Sequence, residues 1–124
     1  MIYLDTHVVV WLYAGLTEKI SPKATELINA NPLYISPMVQ LELEYLNEIG
    51  RITVGSAIIV ETLSISIGLE LCQLSFPQII TEAVTETWTR DPFDRIIVAH
   101  AKSRKAELLT KDSSILENYP KAIW

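Results

Sequence analysis

A single cysteine, four glycines and two phenylalanines are spread through this 124-residue chain, and ten basic residues face fifteen acidic ones. Each scarcity excludes something. One thiol, Cys72, allows no internal disulfide and no cysteine-rich metal cluster, and it suits a reducing compartment. It lies in the apolar run Leu69 to Leu74, where an inert buried thiol is expected and not a nucleophile. The glycines are scattered, so no glycine-rich phosphate loop is present. The longest apolar run, Val8 to Leu16, is too short to span a bilayer. Met1-Ile-Tyr-Leu-Asp5 puts an acid where the basic start of a secretory leader belongs. A soluble, cytoplasmic protein is expected.

What is present reads as globular. Hydrophobic residues make up 49% and charged residues 20%, and the length suits one domain over residues 1–124 with a respectable core. The formal net charge of −5 argues at first against a nucleic-acid partner, because phosphate binding usually needs a basic surface. That objection weakens if the acids cluster. One or two divalent cations held among them would move the balance to about −3 or −1. The basic residues Lys102, Arg104, Lys105 and Lys111 lie close together, and a solvated helix end is the simplest reading of them.

Short apolar runs alternate with helical patterns. Strands are predicted at Ile2–Leu4, Leu33–Ile35, Leu69–Leu74, Leu108–Thr110 and Ala122–Trp124. Helices are predicted over 6–14, 22–29, 37–50, 54–66, 76–87 and 92–105, with a short final one after Asp112. Ser21-Pro22, Ser36-Pro37 and Asp91-Pro92 supply an N-cap followed by a first-turn proline. This alternation implies a mostly parallel sheet covered on both faces. Ligands of such sheets bind beyond the carboxyl ends of strands, where the strand order reverses. Asp5 and Asp112 each follow a strand, and they meet there if the first and fourth strands are neighbours.

Four carboxylates carry the chemistry. At roughly 100° per residue, Met38, Val39, Tyr45, Leu46 and Ile49 fall within about 60° of Glu42, placing a charge in a buried stripe. Such a charge is costly unless it is paired or binds a metal. A buried ion pair with Arg95 is the structural alternative. Asp5 and Asp112 also read as N-caps. Asp91 and Asp94 resemble a capping box around Pro92, yet Asp94 shares a helix face with Ile97, Val98 and Ala101. Taken together, hard oxygen ligands without histidine or cysteine spacing suit Mg²⁺ or Mn²⁺ and not zinc. Such a cation activates water and offsets charge on a phosphoryl group, so phosphodiester hydrolysis is the natural chemistry. His7 adjoins Asp5, within reach of a substrate, although a hydrogen-bonded structural histidine is the simpler reading; His100 reads as packing, and Trp11, Trp88 and Trp124 as core or interface residues.

At these positions the chain resembles a PIN domain, of the VapC toxin ribonuclease type. The matching segments are Met1-Ile-Tyr-Leu-Asp5-Thr6-His7 with Trp11-Leu12, and Ile35-Ser36 through Glu42. They continue with Arg90-Asp91-Pro92-Phe93-Asp94-Arg95, Ala99-His100-Ala101 and Leu109-Thr110-Lys111-Asp112. The resemblance implies a three-layer α/β/α sandwich with a central, mostly parallel sheet. It also implies a Mg²⁺- or Mn²⁺-dependent endoribonuclease whose four acids fall on Asp5, Glu42, Asp94 and Asp112. Thr6, Thr110 and Asp91 then support those acids from behind. RNA as substrate, a small antitoxin as partner and a homodimer follow from the same resemblance. His100 departs from the glutamine of the family pattern.

Two enzyme rivals fit worse. A haloacid-dehalogenase-type phosphatase wants a second aspartate two residues after the first, where His7 stands. A receiver domain wants a phosphoacceptor aspartate after the third strand, where Leu74-Ser75-Phe76 stands. A rival of another class is a non-catalytic interaction module that keeps the pocket as architecture.

Overall fold

A computed structural model describes the whole chain, Met1–Trp124. Its strands are β1 (Ile2–Leu4), β2 (Leu33–Ile35), β3 (Glu70–Leu71), β4 (Glu107–Leu109) and β5 (Ala122–Ile123). Its helices are α1 (Thr6–Ala14), α2 (Pro22–Ala30), α3 (Pro37–Glu48), α4 (Ser56–Ile67), α5 (Phe76–Ala83), α6 (Pro92–Ser103) and α7 (Ser113–Asn118). The strands form one sheet in the order β3-β2-β1-β4-β5, every neighbouring pair parallel. Helices flank it to give the α/β/α sandwich, because parallel strands need crossovers that lay helices on the faces. No helix is long and apolar enough to cross a membrane.

The strand order places the site. The chain runs outward from β1 through β2 to β3, then returns to the other side of β1 with β4 and β5, so the order reverses between β1 and β4. Leu4 pairs with Leu109 in that central ladder. Asp5 and Thr110 therefore leave the sheet side by side. Ile2, Leu4, Leu108 and Leu109 are almost wholly buried and anchor this junction in the main core.

Caps start the helices where the sequence places them. Ser21, Ser36 and Ser75 each accept a backbone N–H of the following turn, ahead of a proline in the first two helical positions. Gly15 and Gly68 end α1 and α4 in the left-handed conformation, with φ of 71° and 70°.

Several boundaries differ from expectation. α5 stops at Ala83 and not near Thr87. The chain turns there because Glu86 is buried, accepting hydrogen bonds from Trp88 Nε1 at 2.7 Å and Lys102 Nζ at 2.9 Å. β3 shrinks to two residues, and Cys72 beyond it is a buried free thiol. α6 ends at Ser103, and Lys105 takes a left-handed φ of 54° as the chain reverses into β4. The predicted stripe of α3 is rotated: Val39 and Leu43 are its buried residues, whereas Tyr45 and Ile49 are exposed. Glu42 is half-buried at the border of that face.

Candidate active site

Asp5 is built into place by three neighbours. It ends β1 and caps α1, where its Oδ1 accepts the Thr6 N–H at 2.8 Å. Its Oδ2 accepts the buried Thr110 hydroxyl at 2.6 Å. Its own N–H donates to the Leu109 carbonyl at 3.0 Å. Burial pushes its carboxyl above the usual aspartate range, opposed by the Thr110 and Thr6 hydrogen bonds. The Thr110 oxygen also accepts the Asp112 N–H at 3.0 Å, so one hydroxyl positions two acids.

Asp112 caps α7, with Oδ1 accepting the Ile115 N–H at 3.0 Å. Glu42 reaches in from α3, and its Oε1 accepts the Thr6 hydroxyl. Burial raises its pKa, the Thr6 bond lowers it, and the Asp5 charge raises it again. The arginine alternative fails. Arg95 turns away to the end of α5, donating through Nε to the Ala83 carbonyl at 3.2 Å and through Nη2 to the Val84 carbonyl at 3.3 Å. The ion pairs of the chain join Lys102 to Glu82 and Glu86, and none involves Glu42.

Asp94 is different in kind. It sits in the first turn of α6, whose cap is Asp91, with Asp91 Oδ1 accepting the Phe93 N–H at 2.8 Å. The Asp94 carboxylate accepts no hydrogen bond from the protein, although it is half-buried. Its pKa is pushed up to about 7, first by burial and then by the charges of Asp91, Asp5, Asp112 and Glu42. A carboxyl this frustrated lacks a positive partner.

Asp5, Glu42, Asp94 and Asp112 line one cavity of about 310 Å³. Asp91 is exposed outside it and reaches the site through its charge on Asp94 and its cap of α6. His7, Val8, Trp11 and Lys111 complete the lining. A larger cavity of about 440 Å³ between α3, α5 and α6 is apolar apart from His100. His100 is buried there with Nδ1 2.8 Å from Ser36 Oγ, a structural histidine as expected. The chemistry belongs to the smaller, acidic cavity.

The PIN-domain profile matches residues 2–121. The chain belongs to the PIN-domain family. Similar solved structures include a toxin–antitoxin complex from Klebsiella pneumoniae, at 16% identity and TM-score 0.69, covering 100% of this chain and 97% of that one. VapBC2 from Rickettsia felis, bound to a DNA fragment from its promoter, is 22% identical with TM-score 0.66, covering 99% and 96%. VapBC-1 from nontypeable Haemophilus influenzae is 18% identical with TM-score 0.64, covering 100% and 96%. At these identities the likeness establishes the shared fold. No curated protein matches the sequence.

This PIN domain holds its acids around a cavity without drawing any three into a coordination sphere. The donor set nevertheless fits a hard divalent cation: carboxylate oxygens only, several of them mutually repelling, and one without any donor. Two lining residues, Trp11 and Lys111, were not read from the sequence as part of the pocket. His7, the one histidine given a substrate-side reading, is exposed and lines the cavity. Trp11 lies one helical turn after His7 on α1 and shares that lining while packing on the core. Lys111 sits between Thr110 and Asp112, exposed, and lines the cavity as well. Their adjacency to the acidic residues was the available signal.

Proposed function

We propose that this PIN domain is a metal-dependent endoribonuclease, the toxin of a VapBC-like toxin–antitoxin pair working in the cytoplasm. It hydrolyses RNA phosphodiesters with Asp5, Glu42, Asp94 and Asp112. The observation that carries the reading is Asp94, a half-buried carboxylate with no hydrogen-bond donor, raised to about 7 by burial and the acids around it. Mg²⁺ or Mn²⁺ held by these oxygens supplies an activated water and offsets charge on the phosphate.

The protein's own part is positioning. Thr110 holds Asp5 and the backbone of Asp112, and Thr6 holds Glu42. Both threonines are buried, so the carboxylates they hold keep fixed rotamers. Asp94 is left as the free ligand. Lys111 lines the same cavity, and its charge suits a substrate phosphate.

The toxin assignment rests on the family and on the toxin–antitoxin complexes of like fold. An antitoxin and a second copy of the chain both require exposed apolar surface. Leu41 and Tyr45 on α3, Phe76 and Val84 on α5, and Ile58 and Ile65 on α4 provide it. A second reading, a non-catalytic interaction module, is favoured by one fact: the acids are not gathered into a coordinating arrangement.

Calorimetric titration with Mn²⁺, paired with cleavage of a mixed single-stranded RNA pool, separates the two. The nuclease reading expects saturable Mn²⁺ binding that is lost in Asp94→Asn, and cleavage that is abolished in a folded Asp5→Asn variant. Mn²⁺ binding indifferent to both substitutions leaves the interaction module.

A further inference from the structure

The acidic lining of the cavity raises a problem that its other residues answer. A protein with net charge −5 that draws RNA into a ring of carboxylates gains little from long-range attraction. Lys111 is the cavity's one lysine or arginine. Affinity must come from contacts that do not depend on phosphate charge.

Trp11 supplies such a contact. Its indole is half-buried and lines the same cavity as Asp5 and Asp94. Trp124 packs against it at 5.6 Å between ring centroids with the planes tilted by 60°, which fixes the indole from behind. The His7 ring stands 6.2 Å away on the preceding turn, exposed to the same solvent. Lys19 Nζ lies over the Trp11 ring, 6.0 Å from its centroid, so the indole already holds a cation on one face. Aromatic faces flanked by cations are the devices by which proteins hold unpaired bases without reading their sequence. The cavity, at about 310 Å³, is at the small end for a ligand site, room for one nucleotide and not a duplex.

We infer that Trp11, with His7 beside it, is the stacking platform for an unpaired base next to the scissile phosphate. This rests on the nuclease reading for the identity of the ligand. It adds a substrate contact to the core or interface role expected of Trp11. Lys111 and Lys19 take flanking phosphates, and the base, not the backbone, provides most of the affinity.

The test measures binding without turnover, in the Asp94→Asn background. A fluorescein-labelled oligouridylate and an abasic ribose-phosphate oligomer of equal length are titrated, and anisotropy is read. The oligouridylate is expected to bind roughly tenfold more tightly than the abasic oligomer. Trp11→Leu should reduce the oligouridylate to the abasic level and leave the abasic oligomer unchanged. Trp11→Phe, which keeps a π face and the packing on Trp124, should restore most of the difference. A Trp11→Leu variant that weakens both oligomers equally, or neither, overturns the inference, as does equal binding of the two oligomers from the start. If neither oligomer binds, the platform is likewise overturned, whereas the Mn²⁺ titration independently decides the nuclease reading.

Discussion

The Thr110 hydroxyl donates a 2.6 Å hydrogen bond to Asp5 Oδ2, joining the ends of β4 and β1 across 105 residues of sequence. The same oxygen accepts the Asp112 N–H, so this buried side chain couples two carboxylates on opposite sides of the strand-order reversal. Neither acid can change rotamer without breaking a bond to it or to a helix terminus.

Thr110→Val keeps the shape and removes both bonds. Leaving Asp5 Oδ2 without a donor in a buried setting is expected to cost about 1–3 kcal/mol in urea denaturation. The Thr110 bond lowers the Asp5 pKa against the effect of burial, so its loss pushes that carboxyl further up. The pH needed for half-maximal Mn²⁺ binding should therefore rise. An unchanged midpoint in both measurements would show that Thr110 is a bystander.

Asp94→Asn should stabilise the metal-free protein at pH 8. A carboxyl raised from 3.8 to about 7 in the folded state favours folding fully below pH 3.8. That advantage is lost as pH rises through about 7, where the folded state must hold the charge. Because the side chain is only half-buried, solvent screening reduces the effect to about 1–2 kcal/mol. At roughly 4 °C per kcal/mol, the variant should melt several degrees above the parent at pH 8. The gap should narrow steadily towards pH 4. A variant that melts lower at pH 8 contradicts the crowding of the acids.

Divalent cation should reverse that ranking. At a hundred times its dissociation constant, Mg²⁺ or Mn²⁺ is expected to stabilise the parent by about 2.7 kcal/mol, and Asp94→Asn far less. Protons compete for Asp94, so the gain should fade as pH drops through about 7. Differential scanning fluorimetry with and without EDTA reads this directly. Equal shifts in both proteins would place the ion elsewhere.

Glu44 holds a second long-range cap. It projects from α3, and its Oε2 accepts the Ser56 N–H at 2.9 Å at the start of α4, where the N-cap Gly55 has no side chain to offer. That hydrogen bond lowers the Glu44 pKa, so the stabilisation is present above pH 4.5 and lost as pH falls through the lower, folded value. Glu44→Ala should lower the urea midpoint at pH 7. At pH 3 the two proteins should unfold together. A penalty that persists at pH 3 would assign the effect to packing.

How much could be read in advance follows from the range of each signal. Serine or aspartate before proline marks a helix start by local chemistry, and α2, α3 and α6 begin where those pairs predict. β1, β2 and most of β4 follow from short apolar runs, and the acids that trail them follow from the logic of parallel sheets. Long-range features were out of reach. Periodicity placed Glu42 at the centre of a buried stripe, whereas the face of α3 that packs is centred on Val39 and Leu43. A helical wheel counts apolar residues but does not know where the neighbouring helices lie. Glu44 meets Ser56 only once α4 packs on α3, and the end of α5 depended on Glu86 meeting Lys102, sixteen residues away. Trp11 and Lys111 became pocket residues only once the strand order had turned α1 and the β4 end towards one another.

The sheet order has a further consequence for the timing of synthesis. Asp5 emerges from the ribosome with β1, but Thr110, which orients it, follows 105 residues later. A nascent chain that has made only β1 to β3 carries Asp5 and Glu42, and neither Asp94 nor Asp112. Whatever chemistry the pocket performs is withheld from the translating machinery until β4 slots in beside β1.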